Sequence, residues 1–135
     1  MSTCETIKNS GLGVREVATI TRFQRVTEAA EIMSDNCVGS LVVVADYDDD
    51  TMVGIVTERD ILKWLSQATP ETYFQNVDKI MIRDVVSCNG KTSLDEVRKL
   101  MKNHDIRHVP IVRHGIAVGM LSARDLLGQQ FSPAV

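Results

Sequence analysis

The spacing of apolar and polar residues along this chain changes between two periods, and the same order of periods occurs in both halves. Short apolar runs rich in β-branched residues predict strands, whereas apolar residues three or four positions apart predict helices with one buried face. In the first half, the predicted elements are a strand at 17–20, a helix containing Val26, Ala29, Ala30 and Met33, strands at 38–45 and 52–57 around an acidic turn at 46–50, and a helix at 58–65.

The second half of the chain predicts the same order of elements. They are a strand at 85–88, a helix with Leu94, Val97 and Met101 on one face, a hairpin of 106–112 and 116–121, and a helix at 123–129. Ser93 and Glu96 have the spacing of a capping box, in which side chains satisfy the backbone N–H groups at a helix start. We therefore predict two repeats, at 11–66 and 80–129, joined by a linker at 67–79.

The two repeats are most alike at one corner, where a strand runs into a helix. Residues 54–62 read GIVTERDIL, and residues 119–127 read GMLSARDLL. Each corner places a hydroxyl three residues before an aspartate, and these residue types favour the N-cap and the first turn of a helix. Such a corner needs no ligand, because an N-cap alone stabilises a helix by about 1 kcal/mol.

Two such corners in register, each within a strand–helix–strand–strand–helix repeat, resemble a tandem pair of CBS domains (a Bateman module). The strand IRHVPIV at 106–112 also fits, and the resemblance covers residues 11–129. It implies an α/β fold in which two βαββα repeats pack with pseudo-two-fold symmetry and helices flank small sheets. It also implies a regulatory, signal-transduction module that binds adenosine-containing ligands (AMP, ADP, ATP, NAD or S-adenosylmethionine) in clefts between the repeats.

Candidate ribose and phosphate ligands follow from the same resemblance: Thr57, Asp60, Ser122, Asp125, Arg59, Arg124, Arg107 and His108. In the family, the corner aspartate typically holds the ribose hydroxyls, the corner hydroxyl contacts ribose or phosphate, and a basic pair in the long strand contacts phosphate. A carboxylate can accept hydrogen bonds from both cis hydroxyls of a ribose, and a helix N-terminus attracts phosphate. The arginine beside each aspartate can bind phosphate in bidentate fashion. Because an N-cap can also be a ligand site, the capping and binding interpretations are compatible.

The chain departs from the family pattern in two places. The proline often found after the first strand is replaced by Arg22 in the first repeat and by Gly90 in the second. The basic pair 107–108 of the second repeat corresponds to Gly39 and Ser40 in the first. We therefore expect the two clefts to differ in their affinity for anions.

Composition and charge narrow the class of protein. The net charge of −3 argues against a nucleic-acid partner, and no apolar run approaches the roughly 20 residues that span a membrane. The first residues lack the apolar core of a signal peptide. Cys4, Cys37 and Cys88 have no paired spacing, which is typical of reduced thiols. We therefore expect a cytoplasmic protein.

The sequence gives little support for a catalytic site or a metal site. No nucleophile–base pair and no catalytic metal cluster stands out, so we expect neither an enzyme nor a catalytic cofactor. Asp46, Asp48 and Asp50 resemble the opening of a calcium loop, but Thr51 and Thr57 stand where that loop requires glycine and glutamate. An acidic hairpin tip is the simpler interpretation.

Two functions stay open. The first is an adenine-nucleotide sensor whose output passes through a partner or a homodimer. The alternative is a structural dimerisation module with empty clefts that regulates an enzyme or transporter in trans. In either case we expect a homodimer through the apolar helix segments 61–65, which contains Trp64, and 126–131.

Overall fold

The computed structural model describes the backbone of residues 17–130 and the side chains of residues 17–126. The helices and strands are β1 (Thr19–Thr21), α1 (Val26–Asn36), β2 (Ser40–Asp46), β3 (Asp49–Thr57), α2 (Glu58–Gln67), a short 3-10 helix (Val77–Lys79), α3 (Leu94–His104), β4 (His108–Arg113), β5 (Ile116–Ser122) and α4 (Ala123–Gln130). They fall into two compact units, residues 18–85 and residues 86–130, each with its own hydrophobic core. The predicted α/β class is confirmed.

In the first unit, β2 lies between the other two strands. It pairs in parallel with β1 and antiparallel with β3, so that Ser40 lies opposite Thr57. Residues 41–44 of β2 are all buried, because a continuous apolar run suits a strand that is covered on both faces. Helix α1 contributes Ala29 and Met33 to the same core, as its apolar spacing predicts.

The acidic turn between β2 and β3 is shorter than the sequence suggests. Only Tyr47 and Asp48 form the turn, and β3 already begins at Asp49. The Asp46 carboxylate accepts the Tyr47 N–H at 2.7 Å, and the Asp49 carboxylate accepts the Thr51 N–H at 3.0 Å. These aspartates are therefore used in local turn hydrogen bonds, which agrees with an acidic hairpin tip.

The segment that follows α2 packs on the first unit. The Val26 N–H donates to the Gln75 carbonyl at 3.1 Å, and the Val77 N–H donates to the Gln24 carbonyl at 2.8 Å. Val77 is fully buried in the core of this unit. The predicted linker therefore carries structural contacts of its own in its second half.

The second unit contains a tight hairpin and a well-capped helix. Between β4 and β5, His114 and Gly115 both have positive φ angles, 54° and 78°, as the two central residues of a type I′ turn require. At the start of α3, the Ser93 hydroxyl accepts the Glu96 N–H at 3.1 Å while the Glu96 carboxylate accepts the Ser93 N–H at 3.3 Å. The predicted capping box is confirmed.

The strand predicted at 85–88 is reduced to a single bridge between Cys88 and Ile111. The Cys88 N–H donates to the Pro110 carbonyl at 3.0 Å, and the Cys88 carbonyl accepts the Val112 N–H at 2.8 Å. The chain then turns away, because the Thr92 N–H bonds to the Asn89 carbonyl at 3.1 Å. The turn ends the pairing after Cys88, and residues 85–87 before it form no strand, so the prediction of a full strand at 85–88 is wrong.

The cysteines differ from the expectation of three reduced thiols. Cys88 is a free, buried thiol, and burial raises its pKa. Cys37, however, is disulfide-bonded. The expectation is wrong for Cys37, because cysteines that are far apart in the sequence can lie close together in the fold. Cys4 lies outside the described residues.

Candidate functional site

The first corner, where β3 meets α2, is held together by one carboxylate oxygen. Asp60 Oδ2 accepts the Thr57 N–H at 2.8 Å and the Thr57 hydroxyl at 2.9 Å. In return, the Asp60 N–H donates to Thr57 Oγ1 at 3.4 Å. This is a reciprocal cap of the kind predicted from the sequence, and both side chains are partly buried.

The other carboxylate oxygen of Asp60 takes no part in this cap. Every hydrogen bond to the Asp60 side chain within the described residues goes to Oδ2, so Oδ1 has no partner there. A carboxylate has about four lone-pair sites, of which the cap uses two. Capping therefore leaves half of the acceptor capacity of Asp60 available for a ligand.

The second corner, where β5 meets α4, has the same arrangement. Asp125 Oδ2 accepts the Ser122 hydroxyl at 2.7 Å and the Ser122 N–H at 3.3 Å, and the Asp125 N–H donates to Ser122 Oγ at 3.2 Å. Arg59 and Arg124 lie in the first turns of α2 and α4 with exposed side chains. The corner residues predicted from the sequence thus lie together within each unit.

In each unit, a backbone hydrogen bond joins the start of the corner helix to the residue that precedes β2 or β4. The Glu58 N–H donates to the Gly39 carbonyl at 3.0 Å, and the Ala123 N–H donates to the Arg107 carbonyl at 2.8 Å. The strand register completes the equivalence, because Ser40 faces Thr57 in the first unit and His108 faces Ser122 in the second. The fold therefore brings the predicted basic pair to the second corner.

A close backbone contact beside the first corner was not predicted from the sequence. Ile82 exchanges both backbone hydrogen bonds with Ile55 of β3, at 2.8 and 3.0 Å. A Cβ atom added at Gly54 would lie 2.7 Å from the Met81 sulfur and 2.9 Å from the Ile82 carbonyl oxygen. The recurring glycine at the start of GIVTERD was the available signal, since a glycine within a strand often marks a close backbone approach.

Two further expectations concern the apolar helix segments 61–65 and 126–131. Trp64 is only 8% exposed, so it does not contribute the exposed apolar surface expected of it. Its indole N–H donates to Gln75 Oε1 at 3.2 Å, and its ring lies 6.1 Å from that of Tyr73. Of segment 126–131, Leu126 is buried, and the side chains of 127–131 lie outside the described residues.

The described part of the chain contains neither a metal-ligand cluster nor a membrane-spanning helix. Within residues 17–126, there is no group of three or more histidine, cysteine, aspartate or glutamate side chains that could hold a metal ion. No helix in the described part of the chain has the length and apolar character needed to cross a membrane.

Comparison with known proteins assigns the family. The sequence profile of the CBS domain matches residues 11–67 and 77–131, which together make up most of the chain. The chain belongs to the CBS domain family. As a pair of CBS domains, it is a regulatory module.

Relatives of the whole CBS pair are found in sequence and in structure. The CBS domain-containing protein YhcV of Bacillus subtilis (strain 168) is 34% identical over 122 residues, 87% of this chain and 81% of YhcV. The CBS-domain containing protein ATU1752 of Agrobacterium tumefaciens has a TM-score of 0.79 at 27% identity, covering 96% of this chain and 92% of ATU1752.

A third protein of similar structure was crystallised with ligands. The CBS domain pair of protein MJ0100, in complex with 5′-methylthioadenosine and S-adenosyl-L-methionine, has a TM-score of 0.76 at 24% identity and covers 93% of this chain and 98% of that one. At this level of identity, the likeness shows a shared fold.

Proposed function

We propose that this CBS pair senses adenosine-containing ligands and catalyses no reaction itself. The candidate ligands are AMP, ADP, ATP, NAD and S-adenosylmethionine, held at the corners through Asp60 and Asp125. Output passes through a homodimer or through a regulated enzyme or transporter. The repeat boundaries, the clefts between repeats and the cytoplasmic location stay predictions.

The observation that carries the proposal is the unused oxygen of Asp60. A ribose presents two neighbouring hydroxyl donors, and hydrogen bonds to a charged group contribute about 1.5–3 kcal/mol each. Asp60 is partly buried, and its other oxygen, Oδ2, is fixed at 2.8 and 2.9 Å by the cap. The carboxylate is therefore pre-positioned, which lowers the entropic cost of binding. The adenosine ligands of MJ0100 support the same class of ligand.

The test is a thermal-shift and calorimetric titration of the full chain with each candidate ligand. A ligand at one hundred times its dissociation constant adds about 2.7 kcal/mol of stability, which raises the midpoint by several degrees. Asp60→Asn and Asp125→Asn are the matched variants, because the amide oxygen can keep the cap while the second acceptor is lost. We expect one of them to weaken binding by about ten- to 100-fold with the unfolding midpoint of the ligand-free protein nearly unchanged. If no adenosine ligand moves the midpoint of the unmodified chain, the proposal is wrong.

A second candidate function is assembly alone, and the surface of α2 favours it. Leu62 and Leu65, three residues apart on this helix, are 66% and 60% exposed. Apolar side chains at that spacing form one stripe on a helix, and such a stripe is typical of an interface between copies. We propose that α2 contributes to a homodimer.

Analytical ultracentrifugation at micromolar concentration tests the dimer. The unmodified chain should sediment as a dimer, and Leu62→Glu should convert it to a monomer without loss of helical signal. Gln67→Glu, at an exposed position of the same helix, adds the same single negative charge and is the matched control. A monomer in the unmodified chain at tens of micromolar would contradict the dimer and leave ligand sensing to be judged by the titration.

A further inference from the structure

The turn between the Cys88 bridge and helix α3 contains the only Asn–Gly pair in the sequence, Asn89 and Gly90. Asparagine is chemically labile, and most so before glycine, because no side chain hinders attack of the glycine nitrogen on the neighbouring carboxamide. In a folded protein, the reaction also requires the two groups to be held close together in a suitable orientation. The contacts of this turn meet that requirement.

The Asn89 carboxamide points along the backbone that follows it. Its Oδ1 accepts the Lys91 N–H at 2.8 Å and the Thr92 hydroxyl at 3.4 Å. A side-chain oxygen bonded to the N–H two residues later forms an Asx-turn, which encloses the nitrogen of the residue between them, here Gly90. The electrophilic carbon, Cγ of Asn89, is therefore held beside the nitrogen that must attack it.

The same two hydrogen bonds activate the carboxamide. Negative charge develops on Oδ1 when the Gly90 nitrogen attacks Cγ, and donors that already face this oxygen stabilise the charge. A backbone N–H can only donate, so the contact with Lys91 establishes which carboxamide atom is the oxygen and which is the departing nitrogen. That nitrogen, Nδ2 of Asn89, makes no hydrogen bond with the described residues, so no contact there holds it back.

Gly90 is accessible as the attacking group. It is exposed, and its N–H has no hydrogen-bond partner within the described residues. Apart from its chain neighbours, no atom lies within 4 Å of a Cβ placed on Gly90, so the ring that would form has room. At this position the resemblance to the family implies proline, whose nitrogen has no hydrogen to lose and cannot form the ring.

We propose that Asn89 deamidates spontaneously in the native protein, which makes this turn a site of covalent modification. The Gly90 N–H loses its proton to solvent, its nitrogen forms a bond to Cγ of Asn89, and the Cγ–Nδ2 bond breaks as ammonia leaves. Water then opens the resulting succinimide ring at either carbonyl and gives aspartate or isoaspartate. No oxidant, reductant or enzyme takes part, and the proposal does not depend on ligand binding.

Isoaspartate alters the connection between the Cys88 bridge and α3. Two hydrogen bonds close the turn, from the Thr92 N–H to the Asn89 carbonyl at 3.1 Å and from the Asn89 N–H to Thr92 Oγ1 at 3.1 Å. In isoaspartate the backbone passes through Cγ, and the former carbonyl becomes part of a charged carboxylate. A longer backbone cannot keep both bonds at the entry to the Ser93 cap, so we expect the second unit to lose stability.

Incubation of the full chain at mildly alkaline pH, followed by peptide mapping in a mass spectrometer, tests the proposal. Asn89 should convert to aspartate and isoaspartate and take up oxygen from isotope-labelled water. Asn36 and Asn76 should stay intact, because the residues that follow them carry side chains. Gly90→Ala is the matched variant, since its methyl group fits the turn, and it should slow conversion of Asn89 by at least about tenfold.

The chain unfolded in guanidinium chloride measures the reactivity of Asn89 without the turn. The native chain should convert at a comparable or higher rate, and a native rate more than about tenfold slower would overturn the proposal. Equal rates in Gly90→Ala and the unmodified chain would also overturn it. Asn89→Asp carries the new charge without the longer backbone, so a lower urea midpoint in the incubated chain than in Asn89→Asp would assign the loss of stability to isoaspartate.

Discussion

Gly54→Ala is expected to destabilise the first unit more than its single added methyl group suggests. The new Cβ would lie 2.7 Å from the Met81 sulfur and 2.9 Å from the Ile82 carbonyl oxygen. Met81 is 7% exposed and packed in the core, so its side chain has little space to move aside. The Ile82 carbonyl is fixed, because it accepts the Ile55 N–H at 3.0 Å.

The magnitude follows from three contributions. Forcing a methyl group into a packed site costs about 1–3 kcal/mol. Displacing Ile82 weakens its two hydrogen bonds with Ile55, and each contributes about 0.5–1.5 kcal/mol. The alanine stabilises by about 0.4–1 kcal/mol through the lower entropy of its unfolded chain. The net expectation is a loss of about 1–5 kcal/mol in the free energy of unfolding.

Urea unfolding measures this loss. Trp64 is the single tryptophan and is buried in the first unit, so its fluorescence reports on that unit, while circular dichroism reports on the whole chain. Gly90→Ala is the matched control, because no atom lies within 4 Å of a Cβ placed there. It should change stability by no more than about 1 kcal/mol. The packing argument fails if Gly54→Ala unfolds within about 0.5 kcal/mol of the unmodified chain, or if Gly90→Ala is equally destabilising.

Three further outcomes are expected. Thr57→Ala removes the hydroxyl of the first cap and should lower stability by about 1 kcal/mol, whereas Thr57→Ser should restore most of the loss in urea unfolding. Burial raises the pKa of the Cys88 thiol, so its stabilising contribution is complete below the ordinary thiol pKa and is lost as pH rises through the folded-state pKa. The fall in stability between pH 8 and pH 10 should therefore be smaller in Cys88→Ala. Asp60→Glu should keep its midpoint in thermal unfolding yet bind adenosine ligands at least about tenfold more weakly, and unchanged affinity would refute the role of Asp60.

Most of the helices and strands could be predicted from the sequence, because each depends on a pattern of residues that lie close together along the chain. The apolar spacing in α1, the capping box at Ser93 and the continuous apolar run of β2 all correspond to elements in the structure. The strand expected at 85–88 depended on non-local pairing with β4, and the structure shows that pairing at Cys88 alone among these four residues. Periodicity contains no information about such a limit.

Within the site, the corner caps were predictable and their surroundings were not. The spacing of Thr57 and Asp60 is enough to predict a reciprocal cap, since all its atoms lie within four residues. Trp64 was expected to contribute apolar surface to a homodimer, but Gln75, eleven residues later, provides the partner that allows the indole to be buried. Contacts of that range require the folded chain.

The type of acidic residue at each helix start distinguishes a capping role from a ligand-binding role. At the starts of α1 and α3, Glu28 and Glu96 accept the N-cap N–H at 3.4 and 3.3 Å, and glutamate is the usual acid of a capping box. Among the helices of residues 17–130, only α2 and α4, which follow the repeated corner, use the shorter aspartate, at Asp60 and Asp125. If capping were the whole requirement, glutamate would serve at these corners as it does at the other two helices. An aspartate instead holds its carboxylate against the strand end, with one oxygen in the cap and, in Asp60, the other without a partner in the described residues. Asp60→Glu therefore keeps the chemistry of the cap and moves the second oxygen, so loss of ligand with stability retained would assign that oxygen to binding.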